Sequence, residues 1–216
     1  MYGALYVVED LDAYEVNPEA YLATAKLPIK DDLLKDRRPR TEWKFEDLAT
    51  DLGHLEGGRS FANAKQTFTV ASCVACHKLD STGNQFGPDL AQLDAKLQPA
   101  DILKELLDPS AKINEKFQTQ IFQLESGQTI TGLVVEETPA VIKLVENPLA
   151  QAAVTEIKVT DIMARKNSPT SIMPKGLLDK LTRDEILDLV AFVHARGKKD
   201  HALFQAASGG HGGHKH

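Results

Sequence analysis

Cysteine is scarce in this chain of 216 residues: there are two, too few for a disulfide-dense scaffold. No run approaches eighteen consecutive apolar residues, so hydropathy predicts no membrane-spanning helix. A basic excess is missing as well. Residues 1–56 hold 13 acidic and 7 basic side chains, whereas residues 57–216 hold 18 of each, so the net charge of −6 belongs to the N-terminal segment. Neither part carries the positive surplus that draws phosphate, which argues against nucleic acid as a partner. The run Lys35-Asp36-Arg37-Arg38-Pro39-Arg40 reads as a solvated linker face. What is present is globular in kind. A hydrophobic share of 42% and a charged share of 26% exclude wholesale disorder and a collagen-like fibre. The length suits one domain or one and a half, enough to bury a core.

The opening residues, Met1-Tyr2-Gly3-Ala4-Leu5-Tyr6-Val7-Val8, lack the charged start, apolar stretch and small-residue cleavage site of a secretory signal. Aromatic and branched, they read instead as a β-strand. A short helix near Asn17-Pro18-Glu19-Ala20-Tyr21 and a charged linker follow, with no strong period. Gly57-Gly58 breaks the chain, and Phe61, Ala64 and Phe68 then mark one face of a helix over 59–72. Pro99 suits the first turn of another, with Ile102, Leu103, Leu106 and Leu107 as its apolar residues and Asp108-Pro109-Ser110 as its end. Between Phe117 and Val159 the pattern changes to short branched runs separated by Ser126-Gly127, Thr138-Pro139 and Asn147-Pro148. These predict three or four strands in a small antiparallel sheet. Thr182 and Glu185 form a capping-box signal for a last helix with Ile186, Leu189, Val190 and Val193 on one face and Gly197 as its stop. The tail from Ser208, rich in glycine and histidine, reads as disordered.

The two cysteines stand three apart and are followed at once by histidine: Cys73-Val74-Ala75-Cys76-His77. This is the signature of c-type haem attachment. Two thiols at this spacing reach two vinyl groups on one side of a porphyrin, and the next imidazole faces the iron. A zinc site would need four ligands, and no second Cys pair or His-x-x-x-His lies near. A thioredoxin-like redox pair would need a strand before it, where the pattern is helical. For the opposite side of the iron the chain offers Met163, Met173, His194 and His201. Met163 ends a strand-like run, where core packing is the better reading. His194 lies beside the apolar face of the last helix and reads as a partly buried structural residue. Met173 sits in a loop between Pro and Gly and is the preferred sulfur ligand, with Met163 as the alternative. His211, His214 and His216 stand in a glycine-rich tail and would bind stray metal weakly.

These residues resemble monohaem c-type cytochromes, and more closely the Pirellula/Verrucomicrobium-type haem-binding domain family. The resemblance runs over about residues 56 to 197. Its landmarks are the Cys-x-x-Cys-His motif, Gly87-Pro88-Asp89-Leu90, Leu107-Asp108-Pro109-Ser110, Gly127 with Gly132, Ser171-Ile172-Met173-Pro174-Lys175-Gly176-Leu177, and the final helix with Phe192. It implies one covalent haem c through Cys73 and Cys76, His77 as proximal and Met173 as distal ligand, and the Pro88 carbonyl as acceptor for the imidazole N–H. The strand-rich insert separates the two axial candidates by 96 positions. Separately, the first eight residues resemble the last strand of a cupredoxin domain, as in copper nitrite reductases or multicopper oxidases. That likeness implies a copper–haem fusion with its leader upstream.

The expected fold is therefore a mainly α, cytochrome c-like haem domain with a small antiparallel β insert, α+β overall. Residues 1–56 form an N-terminal strand and acidic linker, 57–197 the haem domain with its insert at about 117–160, and 198–216 a disordered tail. The expected function is electron transfer, with no catalysis by the chain itself. The expected partner is a redox protein or a fused copper or dehydrogenase domain, and the expected place is the periplasm or another exported compartment. Phe61, Phe68, Ile186, Val190 and Val193 would form an apolar cage. The rival is a haem enzyme or ligand sensor with an open distal position, although no distal His-Arg pair or other acid–base constellation stands near the motif. A haem-free structural metal module is a third reading.

Overall fold

A computed structural model describes residues 37, 39–53, 55, 57–149 and 154–205. The strand expected at the N-terminus, the short helix after it and residues 206–216 of the tail lie outside the described residues. Residues 198–205, expected as part of a disordered tail, instead include a short 3-10 helix, Ala202–Phe204, whose Phe204 packs against the helical core. Those described hold four α-helices and one five-stranded antiparallel sheet, a mixed α and β architecture.

Helix α1 (Phe45–Gly53) falls in the stretch read from sequence as acidic linker. It buries Leu48 and Leu52, four apart, in the helical core. Two apolar anchors in nine residues give too weak a period to reveal a helix from sequence alone. Helix α2 (Phe61–Val70) starts at Ser60, whose hydroxyl accepts the Asn63 N–H at 3.2 Å. Helix α3 (Pro99–Leu107) has Pro99 in its first turn, and the Asp101 carboxylate accepts the Gln98 N–H at 3.2 Å. Helix α4 (Arg183–His194) opens with the expected capping box: the Thr182 N–H donates to Glu185 at 2.8 Å, and the Glu185 N–H to the Thr182 hydroxyl at 3.3 Å. Beyond α4 the backbone turns left-handed at Arg196 and Gly197, and the Gly197 N–H returns to the Phe192 carbonyl at 3.0 Å. Phe61, Phe68 and Phe192 lock α2 onto α4 edge to face, with ring centroids 5.3 and 5.8 Å apart.

The sheet runs in the order β4-β3-β2-β1-β5, where β1 is Gln120–Leu124, β2 Thr129–Glu137, β3 Val141–Val145, β4 Val154–Lys158 and β5 Ile162–Asn167. Five strands form where three or four were expected, and β5 lies beyond the expected end of the insert at about 160. Strand β5 escaped the sequence pattern because five of its six residues are exposed, so it shows no alternation. It forms because β1 offers an open edge, with Gln120 opposite Asn167. Met163 lies on β5 and is 65% exposed, which corrects its reading as a core residue. Phe122, Leu124, Ile130, Ile142, Leu144 and Ile157 build the core of the sheet. Since β1 and β5 are neighbours, the insert leaves the chain and rejoins it at one place.

Successive strand residues face opposite ways. Leu133 and Val145, paired across β2 and β3, therefore point away from Val134 and Leu144. They pack instead with Ala75, Cys76 and Phe86. The cysteine motif thus lies at the seam between helices and sheet.

Candidate cofactor site

Helix α2 ends at Val70, and Ser72 takes a left-handed conformation (φ 61°) that turns the chain into a short 3-10 helix, Cys73–Ala75. The His77 N–H donates to the Cys73 carbonyl at 2.9 Å. One tight turn therefore carries all three motif side chains. Both thiols are free and buried. Cys73 packs into the helical core with Phe68, Val190 and Val193, whereas Cys76 faces the sheet with Phe86, Leu133 and Val145. Burial pushes the Cys73 thiol up to about 12, with Cys76 adding to the shift, and pushes Cys76 up to about 11. At neutral pH both are uncharged SH groups.

The loop after the motif folds back over it. The Asn84 N–H reaches the Val74 carbonyl at 3.0 Å, the Asn84 side chain the Ala75 carbonyl at 3.1 Å, and the Gly87 N–H the Cys76 carbonyl at 2.7 Å. This wrapping brings the Pro88 carbonyl oxygen to 2.9 Å from His77 Nδ1. Burial lowers the pKa of His77 from its ordinary value, and the Pro88 contact opposes that shift. The imidazole is neutral in this setting, with Nδ1–H donating to the carbonyl. Nε2 is then the nitrogen that can meet a metal. Gly87 makes the approach possible: a Cβ there would stand 2.7 Å from His77 Cε1 and 2.9 Å from Nδ1.

Met173 is half-buried in the loop after β5. Its N–H donates to the Ser171 hydroxyl at 3.2 Å, and its neighbour Ile172 packs against the cluster that holds Cys76. The loop is therefore drawn to the motif, whereas Met163 stays on the open strand. His194 Nδ1 lies 3.2 Å from the Leu97 carbonyl, and the His194 ring stands edge to face against His201, centroids 5.7 Å apart. His211, His214 and His216 fall outside the described residues. Phe68, Ile186, Val190 and Val193 share the buried cluster of Cys73, with Phe61 packed against it. The apolar residues around Cys76 had no local signal in the sequence. Leu133 and Val145 stand 57 and 69 positions beyond it, and strand pairing alone brings them there.

The donor chemistry discriminates among occupants. Among the described residues no group of three or more His, Cys, Asp or Glu side chains could hold a metal ion, so a zinc cage is not built here. Two neutral buried thiols beside an oriented imidazole, enclosed by aromatic and aliphatic side chains, do fit a covalently attached porphyrin. Among the described residues no helix is long and apolar enough to cross a membrane. No curated protein matches the sequence. Residues 61–148, which span the cysteine motif, the Gly87-Pro88 loop and β1 to β3, match the cytochrome c family, and this match supports a c-type cytochrome domain within the chain.

Proposed function

We propose that the chain is an electron carrier holding a single haem c, tethered through Cys73 and Cys76 and ligated by His77 and Met173. The observation that supports it best is the 2.9 Å contact from His77 Nδ1 to the Pro88 carbonyl beside the two free thiols. Bound here, haem supplies a reversible one-electron couple at iron. The protein's part is to hold and shield. The Pro88 carbonyl fixes the tautomer and orientation of His77 and raises its basicity. The thioether of Met173 is a soft, neutral donor that favours the lower charge. Phe68, Val190 and Val193 on the Cys73 side, with Phe86, Leu133 and Val145 on the Cys76 side, exclude water and disfavour added charge. With His77 and Met173 both committed to holding the haem, the chain would carry electrons and no substrate chemistry of its own. The finer likeness to the Pirellula/Verrucomicrobium-type family, a fused or separate copper or dehydrogenase partner met through a small transient interface, and an exported location complete the proposal.

Optical spectra of the purified haem-loaded protein test it. The expected oxidised spectrum is six-coordinate and low-spin with the weak far-red sulfur-to-iron band, and the pigment stays on the polypeptide after acid extraction. Met173→Ala abolishes that band and Met163→Ala keeps it. The reverse result would move the ligand to Met163. A five-coordinate, high-spin spectrum would replace the carrier with the enzyme or sensor.

A further inference from the structure

We propose that the Asp108-Pro109-Ser110 turn is a two-point clamp on the 171–175 loop, and that Ser110 and Asp108 are positioning residues for the Met173 sulfur. The proposal rests on the reading of Met173 as the distal ligand.

The turn begins where α3 stops. Asp108 caps the helix, its N–H on the Lys104 carbonyl at 2.8 Å, and the Ala111 N–H closes the turn on the Asp108 carbonyl at 3.0 Å. Pro109 is buried at the second position, where its fixed φ stiffens a turn of this kind. Two side chains then reach across 61 and 67 positions of sequence. The Ser110 hydroxyl accepts the Ser171 N–H at 3.1 Å. The Asp108 carboxylate meets Lys175 Nζ at 2.7 Å. The contacts fall two residues before Met173 and two residues after it. Between them, the Ser171 hydroxyl takes the Met173 N–H at 3.2 Å, so Ser171 bonds to Ser110 through its backbone N–H and to the methionine backbone through its side chain.

The loop is also held where it leaves the sheet. The Ser168 N–H donates to the Thr119 carbonyl at 2.8 Å, the Thr119 hydroxyl to the Thr170 carbonyl at 3.3 Å, and the Gln118 side chain to the Ser168 carbonyl at 3.0 Å. These bonds bring the sheet exit beside its entry. They do not extend past Thr170, and the stretch that bears the sulfur is tied down by the turn after α3. A loop fixed at both ends would hold the Met173 thioether in one place, because a preorganised donor gives up little freedom on binding.

Ligand competition on the oxidised haem-loaded protein tests the clamp. Added imidazole competes with the native sulfur, so its apparent affinity rises by the factor through which the sulfur-bound state is weakened. A hydrogen bond of the Ser110 kind is worth about a factor of 2–10, and a half-exposed ion pair such as Asp108 with Lys175 at most about fivefold. Ser110→Ala should therefore raise imidazole affinity about three- to tenfold and Asp108→Asn about two- to threefold. Ser126→Ala removes a comparable hydroxyl contact in the remote β1–β2 turn, to the Gln128 N–H at 3.4 Å, and should leave the affinity at the wild-type value. Urea unfolding of each variant separates lost positioning from lost stability. If Ser110→Ala and Asp108→Asn bind imidazole no better than Ser126→Ala while Met173→Ala binds it far better, the clamp is refuted and the ligand stands. If Met173→Ala itself leaves imidazole affinity unchanged, the ligand assignment falls and the clamp falls with it.

Discussion

Replacing Gly87 by alanine puts one methyl group against the ring of His77. The Gly87 backbone lies outside the left-handed region, so alanine meets no conformational penalty there. The consequence is purely one of space. The new Cβ would stand 2.7 Å from His77 Cε1, 2.9 Å from Nδ1 and 3.3 Å from the Cys76 carbonyl oxygen, against an ordinary contact of 3.4–4 Å. Gly87 cannot retreat freely, because its own N–H is held on that carbonyl at 2.7 Å. The imidazole must move by roughly 0.7 Å or more to regain a normal carbon contact, which breaks the 2.9 Å bond to Pro88. Overpacking costs about 1–3 kcal/mol, and the lost hydrogen bond adds about 0.5–1.5 kcal/mol. Alanine stiffens the unfolded chain and returns about 0.4–1 kcal/mol. The net loss is roughly 0.5–4 kcal/mol. Urea unfolding of Gly87→Ala reads it, and the imidazole proton resonances report whether Nδ1–H is still hydrogen-bonded. Gly53→Ala, at the end of α1 with nothing within 4 Å of the added Cβ, is the control and should be neutral or slightly stabilised. A Gly87→Ala protein as stable as the wild type, with the Nδ1 proton undisturbed, would refute the account of how His77 is held.

The remaining predictions concern the last helix. Burial lowers the pKa of His194, and His201 and Arg196 push the same way against the Leu97 carbonyl. A depressed folded-state pKa gives stability that is present above the ordinary value of 6.5 and is lost as pH falls through the folded value. Urea midpoints should therefore drop from pH 7.5 towards pH 5, and His194→Gln should flatten that slope; a variant as steep as the wild type would acquit His194. Thr182→Ala removes the hydroxyl that caps α4 and should cost about 0.5–2 kcal/mol in the same assay, without altering the optical spectrum.

Local chemistry was legible in the residues themselves. Cys73, Cys76 and His77 lie within five residues, so one turn of backbone brings them together wherever the chain lies. The start of α3 at Pro99 and the capping box of α4 were readable for the same reason, since capping bonds join residues three or four apart. Features that depend on distant partners were not. Helix α1 has two buried leucines and owes its place to the helices it packs against. Strand β5 has almost no buried face and exists because β1 left an edge to pair. The surroundings of the two methionines were a matter of tertiary position too: Met163 rides an exposed strand, and Met173 lies in a loop whose Ile172 packs against the cluster that holds Cys76. Sequence by itself determined which bonds this chain can make with its neighbours along the backbone. Only the tertiary structure decided which side chains meet across the seam of helices and sheet, because those contacts depend on strand register and loop closure over tens of residues.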